Sequence, residues 1–290
     1  KGTPTKDKQS SHLIAPHPIA YQPQPYLNSL AVNPSLSVPV FASPVIHRKV
    51  FDNGLTLLIH ENHSVPTACI SAYVKAGSLA EPEDKAGLAS LTTDLLLKGS
   101  QKWSGLELAE QIEFVGGELG TGTTTVGSEV QIQILPKDLP LALEVLKEAV
   151  RHPTFPEIEV KKAKEIAMNE LLSKLEEPQY IAKQAFKQLV YQTHPAYRPV
   201  EGKLETLNPL TREQILQFHQ SEFAPNQTLI SVSGDVNPNE VEKLIAKQFG
   251  DWKTKEKKAV SLPALERQKE KREKQIKLKG KEQVQIFLGH

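Results

Sequence analysis

A chain of 290 residues with one cysteine, Cys69, can form no internal disulfide and cannot build a zinc site from thiolates. No apolar run is long enough to cross a bilayer. An excess of one charge is lacking too. The 35 Lys and Arg against 34 Asp and Glu leave a net +1, which gives no electrostatic basis for a nucleic-acid or membrane partner. Gly-rich phosphate loops, Gly-x-Ser-x-Gly elbows and Cys–His nucleophile pairs are missing, which removes the commonest nucleotide-binding and covalent-hydrolase chemistries. The remainder is ordinary for a globular protein: 39% hydrophobic and 24% charged residues, in a length that fits one large domain or two average ones.

Residues 1–46 differ in composition from the rest. Pro, Ser, Gln and Asn dominate, with Pro18, Pro23, Pro25, Pro34, Pro39 and Pro44, and the apolar residues follow neither a helical nor a strand period. Such a stretch is expected to be an extended arm or linker, or an arm lying along a partner subunit. The start at Lys1 instead of Met, with this Pro-rich opening, fits a mature bacterial periplasmic or envelope protein, an organelle being the alternative.

Regular structure is expected over residues 47–252. A strand at 55–59 follows the turn signal Asp52-Asn53-Gly54, and a second runs from Cys69 to Val74. A helix over about 84–97 closes at Gly99. The next, Leu106 to Val115, is capped by Ser104 and ended by Gly116-Gly117. Val130, Ile132 and Ile134 alternate with Gln131 and Gln133 as in a half-buried antiparallel strand. Helices follow at about 138–151, 156–175, 179–191 and 211–222, the last with Thr211 and Gln214 spaced as a capping box. A strand at 229–233 and a helix from Pro238 to Phe249 complete the series. This order predicts an α+β domain, a largely antiparallel sheet with helices packed on one face. Residues 253–282, rich in Lys and Glu, read as a charged linker. Val284 to Leu288 then reads as a strand, the first of a missing or truncated second domain at 283–290.

Several short pieces carry a resemblance. Asn53-Gly54-Leu55-Thr56, Val74-Lys75-Ala76-Gly77-Ser78, Lys85-Ala86-Gly87-Leu88-Ala89, Leu97-Lys98-Gly99-Ser100, Gly116-Gly117-Glu118-Leu119, Asn169-Glu170-Leu171, His194 through Gly202 and Val232 through Val236 stand in this order. Together they are similar to the opening half of the insulinase, pitrilysin and mitochondrial-processing-peptidase family. The resemblance implies a half-clamshell domain of a zinc peptidase. In that family the helix after Gly-Leu-Ala carries His-x-x-Glu-His: two imidazole ligands one turn apart and a Glu that activates the metal-bound water, with a third ligand, a Glu, on a later helix.

Placed on this sequence, the motif falls on Ser90-Leu91-Thr92-Thr93-Asp94. Ser90 and Asp94 replace both histidines and Thr93 replaces the general base, while Glu170 keeps the third-ligand position. A serine hydroxyl is a poor zinc ligand at neutral pH, and a threonine cannot hold a proton in transit. Asp94 and Glu170 alone would suit calcium or magnesium better than zinc. No catalytic zinc is expected, nor any other cofactor, zinc belonging only to an active partner. Leu88, Leu91, Leu95 and Leu96 form an apolar stripe, and Ser90, Thr93 and Asp94 share another face. Where the family shows Asn-Ala on its cleft strand, this chain has Gly120-Thr121, so a peptide could add to that strand through backbone groups alone.

Other residues read as structural. His60 and His63 lack a third ligand in sequence, His152 is placed to favour a helix dipole, and Arg198 could pair with a nearby carboxylate. The resemblance implies a non-catalytic subunit that encloses unfolded peptides with an active zinc-peptidase homologue, or a homodimer. A scaffold subunit of a larger assembly and a residual metallopeptidase using Asp94 and Glu170 are the alternatives.

Overall fold

The computed structural model describes residues 45–256, 262–264 and 270–289, so all but the last two residues of the Pro-rich arm and parts of the charged linker lie outside the described residues. The strands are β1 (Ile46–Val50), β2 (Thr56–Glu61), β3 (Ala68–Val74), β4 (Glu118–Thr123), β5 (Ser128–Ile134) and β6 (Thr228–Gly234). They form one sheet in the order β1-β2-β6-β3-β5-β4. Every neighbouring pair is antiparallel except β2–β6, where Thr56 stands beside Leu229 and Glu61 beside Gly234.

The helices are α1 (Leu88–Leu95), α2 (Gly105–Glu113), α3 (Leu139–Arg151), α4 (Glu157–Lys174), α5 (Pro178–Tyr191), α6 (Leu204–Leu207), α7 (Arg212–Glu222) and α8 (Pro238–Phe249). Strand alternation sets the layers. Leu57, Ile59, Ile70, Ala72, Val130, Ile132, Ile230 and Val232 are buried on one face, against α1, α3 and α8. Their neighbours Cys69, Gln131, Gln133 and Ser233 look outward to water. The fold is thus α+β, with helices on one face of a largely antiparallel sheet.

Some boundaries differ from the sequence reading, each for a physical reason. The helix expected at about 84–97 is only α1, because Gly87 at φ +98° breaks the turn before it. A Cβ at Gly87 would meet the Glu201 carbonyl oxygen at 2.9 Å and a Leu207 methyl at 2.7 Å, so the loop before α6 approaches as only glycine allows. β1 carries no burial pattern to read, since all five of its residues are exposed. Residues 284–288 pair with no strand among the described residues; Phe287 lies with its ring 6.2 Å from that of Phe186 in α5. The turn residue Asn53 also makes tertiary contacts. Its Nδ2 donates to the carbonyls of Phe249 (2.8 Å) and Trp252 (3.1 Å), closing the end of α8.

His152 follows α3, but burial holds its imidazole below the usual range, with Arg151 and Lys147 adding like charge. Desolvation therefore acts against the dipole attraction expected from sequence, and Glu148 offsets it only in part. His219 of α7 is the stronger case. Its Nε2 lies 2.9 Å from the Val150 carbonyl oxygen, and its ring centroid is 4.6 Å from that of Phe223. Burial drives its pKa from 6.5 down to about 4.

The folded pKa lies below the unfolded one, so the contribution of His219 is complete above pH 6.5 and is lost as pH falls toward 4. The shift corresponds to about 3 kcal/mol. Urea unfolding of His219→Gln should therefore show about that much less loss than wild type between those pH values. Parallel profiles would show that the ring is protonated at no cost.

Candidate functional site

The site is built on α1, whose start is held from outside the helix. Glu81 is buried, and its Oε1 and Oε2 accept from the backbone N–H groups of Gly87 (3.0 Å) and Ala89 (2.9 Å). Arg198, also buried, donates to the Glu81 carbonyl oxygen at 3.2 Å and places its charge near the carboxylate. Thr206 donates to the Ala86 carbonyl at 2.6 Å. The segment 194–206 thus grips the turn that leads into α1. Burial pushes the Glu81 carboxyl up to about 7, against the downward pull of the two N–H groups and Arg198.

The three motif positions are not equivalent. Ser90 is half-exposed and Asp94, one turn on, is exposed. Thr93 is fully buried: its hydroxyl lies 2.8 Å from the Ala89 carbonyl and 2.6 Å from Ser128 Oγ on β5, and Ser128 donates onward to the Ala76 carbonyl at 2.8 Å. Where the sequence placed Thr93 on the same open face as Ser90 and Asp94, the structure turns it inward as a strut between α1 and β5. The apolar stripe Leu88, Leu91, Leu95 and Leu96 is buried as expected.

Asp94 is the point where separate sequence features meet. Its carboxylate bonds the Thr121 side chain of β4 and faces the charge of Glu170, which α4 brings alongside α1. The protein around Asp94 raises its carboxyl above the usual range and Glu170 raises it further, while Lys98 and Thr121 pull it back. Gly120 does not join the group. It lies on the outer face of β4, beside Gln131, whereas Thr121 points toward the helices.

The residues facing this cleft, Ser90, Asp94 and Glu170, offer oxygen atoms only. That set does not fit zinc, which takes imidazole or thiolate ligands in sites of this kind, and Thr93 is enclosed away from any base's position. Among the described residues no group of three His, Cys, Asp or Glu is arranged to hold a metal.

Sequence reading missed Glu81 and Ser128. Ser128 had a faint signal, a hydroxyl at an inward position of an alternating strand. Glu81 had less, since an acidic residue in a Pro-containing loop is usually solvated. Arg198 was expected to pair with a carboxylate; its hydrogen bond goes instead to the backbone carbonyl of Glu81, whose carboxylate feels only the nearby charge. His63 acquires partners that its local sequence does not show. Nδ1 lies 2.5 Å from Asp235 and Nε2 lies 2.9 Å from Glu61, and both carboxylates raise its pKa. His60 bonds Ser233 at 3.1 Å across the β2–β6 pair. His194 accepts from the Ala196 N–H at 3.1 Å, a local structural role.

Comparison with known proteins gives a coherent answer. The model of the insulinase family (peptidase family M16) matches residues 56–204, and that of the peptidase M16 inactive domain matches residues 209–289. YmxG of Bacillus subtilis, an uncharacterized zinc protease, is 26% identical over 84% of this chain and 59% of its own length. Among solved structures, a protease from Helicobacter pylori superposes with a TM-score of 0.72 at 21% identity, covering 77% of this chain and 54% of that one. A peptidase M16 inactive domain from Pseudomonas fluorescens gives 0.67 at 22% identity, over 71% of this chain and 50% of that one. These superpositions concern the fold, and the chain spans about half the length of the curated relatives it matches. A sheet of this topology, a Gly-Leu-Ala turn into the cleft helix and a family model covering about half of the chain lead to one conclusion: this protein belongs to the insulinase family, peptidase family M16.

Proposed function

We propose that this chain is a non-catalytic subunit of a two-subunit zinc metallopeptidase, enclosing peptide substrates together with a homologue that carries the metal. One observation carries the reading. The cleft helix is kept in position by Glu81 and the segment 194–206, yet its three motif positions hold a serine, an inward-bonded threonine and an aspartate. A scaffold preserved around an emptied ligand set is what an enclosing subunit requires, because the wall must keep its shape while the chemistry is done elsewhere. The relatives named as zinc proteases and the match to an inactive-domain model support the same division of labour. Peptide would meet this wall at β4, the last strand of the sheet, by adding a strand through backbone hydrogen bonds.

Elemental mass spectrometry of the purified protein, after brief chelation and re-exposure to zinc, tests the reading. Well under one zinc per chain is expected. Peptide cleavage should arise only when a homologue with an intact His-x-x-Glu-His is added. Near-stoichiometric zinc, or cleavage by the chain alone, would overturn it.

A further inference from the structure

Helix α5 has 14 residues and none of them is buried, whereas α1, α2, α3, α4, α7 and α8 each bury at least two. A helix so placed depends on what is laid against it. It meets the segment 194–206, where Lys187 Nζ donates to the Arg198 carbonyl at 3.3 Å and the Tyr180 hydroxyl bonds Glu201. It also meets residues 272–289. Arg272 donates to the Leu189 carbonyl at 3.5 Å, Lys274 donates to Gln188 Oε1 at 3.2 Å, and Phe287 stands against Phe186. Ile276 borders a cavity of about 380 Å³ together with Leu171, Leu175, Ile181, Ala185 and Leu204.

The contacts from residues 272–289 are light. Ile276 is 45% exposed and Phe287 37%, both hydrogen bonds lie at the surface, and the cavity leaves Ile276 loosely seated. A segment held in this way opens at far lower cost than the core beneath it. Beyond α5 the contacts are close. Buried Arg198 donates to the Glu81 carbonyl, and Thr206 donates to that of Ala86. A Cβ on Gly202 would stand 2.3 Å from the Ala86 carbonyl oxygen, so this segment touches the turn before α1 backbone to backbone. Close packing of this kind transmits a displacement and does not absorb it.

We propose that residues 272–287 form a releasable strap, anchored on α5 by Ile276 and Phe287, whose seating sets the segment 194–206 and, through Arg198, the start of the cleft helix α1. The cleft wall then has two states: strap seated with α1 held, and strap free with the turn before α1 loosened. The inference holds whether or not this chain cuts peptides, so its failure would leave the non-catalytic reading untouched.

Hydrogen–deuterium exchange of the whole protein, read by mass spectrometry, tests this. Ile276→Asp/Phe287→Asp puts a charge at both apolar anchors and should unseat the strap. Exchange should then quicken about tenfold over residues 178–206 and about threefold over residues 85–90, while α3 and α8 keep wild-type rates. Ala185→Met fills the cavity from α5 and leaves the strap's own sequence intact; it should slow exchange in the same two stretches about twofold. With Arg198→Ala as background, the strap variant should still loosen α5 but add nothing further over residues 85–90, because the connection is already cut. A merely structural strap would not give that non-additivity. An effect of the strap variant confined to α5, equal quickening in α3 and α8, unaltered rates in Ala185→Met, or a further rise over residues 85–90 in the Arg198→Ala background would each overturn the inference.

Discussion

Placing histidine at positions 90 and 94 is expected to give this chain a zinc site without giving it peptidase activity. Ser90 and Asp94 lie one turn apart on the accessible side of α1, and Glu170 already faces position 94 from α4. Ser90→His/Asp94→His therefore supplies two neutral imidazoles beside a carboxylate that is in place, a three-ligand set suited to zinc. Affinity should rise at least a hundredfold over wild type, and adding Glu170→Ala should take back at least tenfold of it. Catalysis should stay absent, because Thr93 is enclosed between Ala89 and Ser128 and no base stands beside the metal. Zinc titration with a chelating dye, followed by a peptide-cleavage assay, reads both halves. A variant that binds no zinc would mean that α1 and α4 have drifted out of the spacing such a site needs. A variant that cleaves would mean that another residue can serve as base.

Removing the carboxylate of Glu81 should be the most damaging single change near the cleft. Glu81→Ala leaves the buried N–H groups of Gly87 and Ala89 without acceptors at the start of α1, a loss of about 3 kcal/mol. Urea unfolding near pH 5 should show it. The size depends on pH, with a definite sign. The folded pKa, about 7, lies above the usual 4.5, so the folded state keeps a proton that the unfolded chain has lost. This contribution is complete below pH 4.5 and fades as pH rises through 7, so the gap between wild type and Glu81→Ala should narrow on going from pH 5 to pH 8. Glu81→Gln keeps one acceptor and cannot titrate; it should lose about half as much and show no such narrowing. An unchanged midpoint in Glu81→Ala would show that α1 is held by its apolar stripe alone.

Much of the fold was legible where periodicity and caps act locally. Ser104 with Glu107 and Thr211 with Gln214 form capping boxes at the expected helix starts, and the alternation of Val130, Ile132 and Ile134 lies on the buried face of β5. Legibility failed where a residue's partner is distant in sequence. Asn53 looks like a turn residue and closes α8. His63 looks like an isolated loop histidine and lies between Glu61 and Asp235. Thr93 looks like a cleft residue because helical spacing groups it with Ser90 and Asp94, but β5 covers that side of α1 and Ser128 draws the hydroxyl inward.

The sequence by itself determined the class of the protein. Two-residue and 3.6-residue periods set which faces are apolar, hence an α+β domain, and the order of short pieces around Gly87 and Glu170 set the family. Only the tertiary structure decided what those residues meet. It inserted β6, the last strand among the described residues, between β2 and β3, producing the one parallel pair of this sheet. It joined Asp94, Thr121 and Glu170 from three elements, and left Gly120 and Gly122 facing open space at a sheet edge. The physical reason is range: hydrogen-bond caps and side-chain periods act within a few residues, whereas strand order, desolvation and charge coupling are set by neighbours that the chain brings together only on folding.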